Sequence, residues 1–141
     1  MLNDDLKLTG KLTIAINGET VKEVPNLVVT AGKGYVASRM KDTSATAMSH
    51  MAIGSGTTAA GASQTALVSE LARTGLTSTT VSDADIVYVD TFAAGTGTGA
   101  VTEAAILNAS SGGTMLCRTV FSVVNKGASD AMTITWTVTV S

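Results

Sequence analysis

With one cysteine, one proline and one histidine in 141 residues, this sequence lacks what several classes of protein require. A lone Cys117 forbids an intrachain disulfide, so the fold cannot rest on one. One His and one Cys cannot close a zinc site, which takes about four nitrogen or sulfur ligands. Charge is also scarce, with Asp, Glu, Lys and Arg making up 14% of the chain against roughly 25% in an ordinary soluble domain. The formal net charge is -2 and the nine basic residues are scattered. Lys7, Lys11, Lys22 and Lys33 form no run and no aromatic series interleaves them, so the clustered footprint that binds nucleic acid is missing. Neither a secretion signal nor an apolar run of membrane-spanning length occurs. The expectation is a chain made and folded in a cytoplasm, with no membrane partner.

What is present is apolar and small: 45% of the residues are hydrophobic, yet only 4% are aromatic. A surface so poor in charge must be covered by Thr, Ser, Ala and Gly, which suits close neutral contact with another protein. The length predicts one domain, residues 1–141, large enough to bury a real core. Its clearest element is the last. In residues 131–141, Met132, Ile134, Trp136, Val138 and Val140 alternate with Thr133, Thr135, Thr137 and Thr139. That period of two puts the apolar side chains on one face and the threonines on the other. We expect a central strand with Trp136 in the core and a threonine face turned to water, a neighbouring subunit or a larger surface.

Leu6, Leu8, Leu12, Ile14 and Ile16 predict a first strand, with a bulge where Gly10 and Lys11 interrupt the pattern. Asn17-Gly18 is the strongest short hairpin signal, because both central positions of a type I′ turn need positive φ. Residues 19–24 should return as a strand ended by Pro25. Thr30 can cap a short helix carrying Tyr35, Val36, Arg39 and Met40, weakened by Gly32 and Gly34. Residues 48–53 read as a short strand closed by Gly54-Ser55-Gly56, and 57–62 as a flexible loop. Residues 64–73 fit either a turn or two of helix or an extended edge segment. Further strands are expected over 76–81, 86–92, 101–108 and 114–121, with turns at 82–85 and 108–113, a glycine run at 94–100 and a loop at 125–130. Short strands joined by Gly, Asn, Asp and Ser turns predict an all-β fold. We expect an antiparallel β-sandwich, jelly-roll-like, with one or two short helices.

No chemistry emerges from the candidates. Gly95, Gly97 and Ala100 have the spacing G-x-G-x-x-A of a pyrophosphate-binding turn, but that motif opens a helix, and the residues that follow read as strand. His50 has no nucleophile elbow to serve, and Cys117 sits among Met115, Leu116 and Val120 as a buried thiol would. Asp83, Asp85 and Asp90 lack the density and spacing of a calcium loop, and turn capping accounts for the first two. Glu103, inside an apolar strand, reads as an edge-facing residue or as a partner of Arg118 across a hairpin, structural in either case. The sequence predicts no catalytic residue, no cofactor and no metal ligand, hence not an enzyme.

Five segments carry a resemblance: Met51-Ala-Ile-Gly-Ser-Gly-Thr-Thr58, Glu70-Leu-Ala-Arg73, Thr102-Glu-Ala-Ala-Ile-Leu-Asn108, Gly113-Thr-Met-Leu-Cys-Arg-Thr-Val-Phe121 and Met132-Thr-Ile-Thr-Trp-Thr-Val138. They resemble small virion structural proteins of tailed bacteriophages, among which this chain is similar in size and composition to capsid cement or decoration proteins. Relatives of this kind are often labelled tail-fibre proteins. The resemblance implies a jelly-roll-like homo-oligomer, dimer or trimer, on the outside of an icosahedral head, bridging subunits of the major capsid protein. A tail-fibre or baseplate-associated role is the alternative. Residues 1–9 form a candidate exchanging arm, with Leu2, Leu6 and Leu8 the candidate contacts to capsid or neighbour, because these leucines have no hairpin partner before Asn17.

Overall fold

Two facing sheets account for nearly all regular structure in the computed structural model, which describes residues 6–41 and 46–141. The strands are β1 (Leu8–Ile16), β2 (Glu19–Pro25), β3 (Leu27–Val28), β4 (His50–Gly54), β5 (Glu70–Gly75), β6 (Ser78–Ser82), β7 (Asp85–Phe92), β8 (Gly99–Leu107), β9 (Met115–Lys126) and β10 (Met132–Val140), with one helix, α1 (Thr30–Lys41). The first sheet has the order β2-β1-β10-β7-β6 and the second β3-β9-β8-β4-β5. Every pairing is antiparallel. The pairs β1 with β10, β3 with β9 and β4 with β8 nest inside one another, the self-wrapping habit of a jelly roll. The β8–β9 hairpin stays within one sheet, where a full jelly roll would divide it.

The expected central strand is central: β10 lies in the middle of the first sheet. Its period of two works as read, with Met132, Ile134 and Trp136 fully buried, Val138 nearly so, and Thr135 exposed. Across β1, Leu12 faces Trp136 and Ile14 faces Ile134 in unbroken register. The bulge expected at Gly10 and Lys11 is therefore absent. Leu8, Gly10, Leu12, Ile14 and Ile16 are all even-numbered, so the alternation never slips, and Gly10 only leaves an inner position without a side chain. That space holds the Asn26 amide, whose Oδ1 would lie 2.1 Å from any Cβ at position 10. The irregularity lies between Ile14 and Ala15 instead, where β1 meets β2. Asn17 and Gly18 have φ of 50° and 85°, as a type I′ turn requires.

Both long edges of the sandwich are corners where the chain changes sheets. Pro25 ends β2 and Leu27 begins β3, with the Asn26 backbone N–H donating to the Gly10 carbonyl at 3.0 Å. At the other edge β5 passes into β6, Leu76 donating to Ser49 and Thr77 to Val89. The ambiguous stretch 64–73 thus resolves as turns followed by the edge strand β5. Helix α1 lies across one end, with Tyr35 and Val36 packed against the core. Gly32 is needed there rather than merely tolerated, because a Cβ would come within 2.0 Å of the Leu116 carbonyl oxygen. β9 runs on to Lys126, where a loop was expected. Lys126 pairs with Gly99 at the start of β8, and its buried ammonium donates to the carbonyls of Ala93 and Asp130 at 2.9 and 2.7 Å.

Candidate functional site

The sites suggested by sequence chemistry do not assemble. His50 and Cys117 project to opposite faces of the second sheet, one beside Ala52 and the other beside Ile106 in the core. The His50 ring shares a 2.8 Å hydrogen bond with the Ser49 hydroxyl. Burial pushes the Cys117 thiol far above its ordinary range. The glycine run leads into β8 and not into a helix. Asp83 sits at positive φ in the β6–β7 turn, and Asp85 accepts from the Thr139 hydroxyl at 2.7 Å. Asp90 lies on the inner face of β7, nearly fully buried. Burial raises its pKa, although hydrogen bonds from Thr74, Thr91 and Thr77 and the charge of His50 pull the other way. Among the described residues no group of three or more His, Cys, Asp or Glu comes together.

Glu103 and Arg118 do come together, as a fully buried ion pair on the outer face of the second sheet. Arg118 donates through Nε and Nη2 to Glu103 Oε1, at 3.1 and 2.9 Å. The same carboxylate accepts the backbone N–H groups of Gly56, Val68 and Ser69, all at 2.8 to 2.9 Å. Burial raises the Glu103 pKa, but the N–H groups of Val68, Ser69 and Gly56 and the Arg118 guanidinium outweigh it, so the net direction is down. The pair was legible in the sequence, whereas the three backbone partners were not. They belong to residues 55–69, of which 57–62 were expected to be a flexible loop and 64–69 part of a short helix or an edge segment, and which form a strap across the sheet. Its ends meet where Ser55 donates to the Ser69 carbonyl at 2.9 Å. Its middle is tied by Gln64, whose Oε1 accepts from Arg118 Nη1 at 2.8 Å and whose Nε2 donates to the Ala59 carbonyl. Beneath it Val29, Ala52, Ala105, Leu107 and Met115 form a second apolar cluster. Gly54 and Gly56 are small because Glu103 and the strap occupy the space a Cβ would need. This centre is saturated with internal partners and offers no group to a ligand.

Among the described residues no strap covers the other outer face, which is exposed at Thr9, Lys11, Thr91 and Thr135 and half-buried at the positions between. Along the first sheet, Thr13, Thr135 and Val89 stand side by side, as do Lys11, Thr137 and Val87, then Thr9, Thr139 and Asp85. Thr91 and Thr133 share a 2.9 Å hydroxyl contact. Lys11 is paired at 3.5 Å with the exposed Glu23, so this face is close to neutral. It is the threonine surface anticipated from β10, extended by β1 and β7.

The three candidate contact leucines are divided. Leu2 lies outside the described residues. Leu6 is exposed, and Leu8 belongs to β1, opposite Val140. The described part of the expected arm is therefore not free. Lys7 and Ser141 exchange two backbone hydrogen bonds of 2.7 and 2.9 Å, and Thr9 faces Thr139. The partner of these residues is the distant β10 and the chain's last residue, not a neighbour in sequence. Leu6, Leu8 and Val140 form one wall of an apolar groove of about 470 Å³, with Val36, Ala37 and Met40 of α1 opposite. Comparison with models of known families, with curated proteins and with solved structures gives no match.

Proposed function

We propose that this protein is an accessory virion protein, a capsid cement or decoration protein that binds the outside of a bacteriophage head and bridges major capsid subunits. The observation that carries the reading is the threonine and valine face of the first sheet, close to neutral and without a covering strap among the described residues. Such a face can approach another protein without stripping water from many charges, a desolvation that buried ion pairs seldom recover. Repetition over a shell makes individually weak contacts strong in sum. The resemblance of five segments to virion structural proteins supports the same reading. Those segments include Gly54, Gly56, Glu103 and Arg118, the residues that anchor the strap.

A map of the virion locating this chain is the direct test. The reading expects density outside the head, with the first sheet against the shell over roughly 1,200 to 2,000 Å² of total buried area. Density on the tail or baseplate would replace it with the fibre-associated alternative.

A further inference from the structure

Four strands stand at the edges of the two sheets, and three of them are guarded. β2 carries Glu19, Lys22 and Glu23 and ends in Pro25, β5 carries Glu70 and Arg73, and β3 is only two residues long. Charge, proline and shortness each discourage pairing with another chain. The fourth edge, β6, reads Ser78-Thr79-Thr80-Val81-Ser82, without charge or proline and exposed at every position. Val81 leaves 69% of its surface to water. The loop from β6 to β7 is Asp83 and Ala84, so Ser82 and Asp85 close the hairpin as a hydrogen-bonded pair and the ladder alternates from there. Ser78 and Thr80 turn their backbone groups toward Val89 and Val87. Thr79 and Val81 each turn an N–H and a C=O toward the free edge, where no strand pairs with them among the described residues.

We propose that β6 pairs antiparallel with β6 of a second copy, centred on Thr80, to give a two-fold dimer joined edge to edge. The strand is self-complementary about that residue: Ser78 meets Ser82, Thr79 meets Val81 of nearly the same shape, and Thr80 meets Thr80. In this register the two Thr79 and Val81 pairs satisfy every outward group of both strands. Moving the centre to Thr79 sets Val81 opposite Thr77, whose N–H already donates to Val89. Moving it to Val81 sets Thr79 opposite the turn residue Asp83, at φ 53°. The symmetry of the sequence about its middle residue is what selects a second copy over an unrelated extended segment. Pairing about a two-fold also closes at two copies, which decides between the dimer and the trimer that the resemblance leaves open. The axis stands perpendicular to the sheet, so both outer faces point the same way. The row Lys11, Thr137, Val87, Thr80 then continues across the axis in reverse order. On the capsid reading this doubles the face offered to the shell, but the dimer itself does not rest on that reading, and its test uses the purified protein alone.

The test is sedimentation equilibrium of the full chain and of edge variants, each verified as folded by circular dichroism. Wild type should dimerise. Val81→Pro removes one outward donor from each copy and leaves the bonds to β7 in place, so it should weaken the dimer about tenfold or more. Thr80→Lys and Thr80→Asp each set like charges face to face at the axis and should each weaken the dimer, most at low salt. An equimolar mixture of these two should recover association as a heterodimer, a result expected only where residue 80 faces its own copy. A monomeric or trimeric wild type overturns the proposal. So does a dimer indifferent to Val81→Pro, or a mixture of the Thr80 variants that associates no better than its components.

Discussion

The two sheets of this sandwich pair in the same antiparallel way but treat their outer faces oppositely. The second sheet turns Glu103 and Arg118 outward and covers them with residues 55–69, which supply three backbone donors to one carboxylate. The first turns Thr13, Thr135, Thr137 and Thr139 outward, with no strap over them among the described residues. A buried charge demands enclosure, because each partner left unmatched costs free energy, and this demand holds the strap in place. A threonine surface makes no such demand. It tolerates water and is equally fit to meet another neutral surface, so the molecule has one face committed internally and one available.

The largest expected effect lies on the covered side. Glu103→Ala removes the acceptor of five hydrogen bonds and leaves Arg118 buried without a counter-charge, so it should destabilise by about 3 to 5 kcal/mol. The loss is readable as a fall in the urea midpoint. Replacing Arg118 as well with an apolar residue should recover part of that loss. If Glu103→Ala were as mild as a surface substitution, the strap would be held by something else. Gly56→Ala comes next. Its Cβ would sit 2.5 Å from Glu103 Oε2 and 2.6 Å from Val68 Cβ, for a cost of about 1 to 3 kcal/mol. Loss of hydrogen-exchange protection should be confined to residues 55–69 and their strand partners.

The sheets should also differ in their response to acid. The Glu103 carboxyl is held below the usual range, so the unfolded chain binds that proton more tightly. Its contribution to stability is full above the unfolded pKa and is lost as pH falls below about 4 through the folded value. Asp90, behind the first sheet, is shifted upward by burial. Its contribution is full below the unfolded value near 4 and is lost as pH rises through the folded one. Asp90→Asn should therefore raise the urea midpoint at neutral pH and change little in acid, while Glu103→Gln should do its damage at neutral pH and little in acid. Parallel pH profiles for the two variants would contradict the contrast. The smallest effect belongs to the threonine face: Thr135→Lys, on an exposed position of β10, should shift stability by no more than about 0.5 kcal/mol.

The threonine face was written in the sequence and the covered one largely was not. Strict alternation in β10, with Trp136 among the apolar set, fixes both what is buried and what is exposed, because strand geometry leaves no other arrangement. The same local logic gave the Asn17-Gly18 turn and the helix from Thr30. Local pattern failed where the partner is remote. The pairing of Leu8 with Val140 joins opposite ends of the chain, and nothing near Leu8 signals it. Residues 55–69 have no period of their own, so small polar residues that cover a sheet look the same as those of an unanchored loop. The signal that could have found the strap was Glu103 itself. A carboxylate amid Val101, Ala104, Ala105 and Ile106 calls for more donors than Arg118 alone supplies, and the glycines at 54 and 56 marked where the backbone could approach.

The most direct test of the account is add-back. Heads assembled without this protein are incubated with purified wild type or with Thr135→Lys, and the bound chain and the temperature of head disruption are measured. The account predicts that wild type binds and raises the disruption temperature, while the equally well folded Thr135→Lys binds weakly and protects little. If bare heads are as durable as complete ones, if wild type fails to bind them, or if both proteins bind and protect alike, the open threonine face is not the capsid contact.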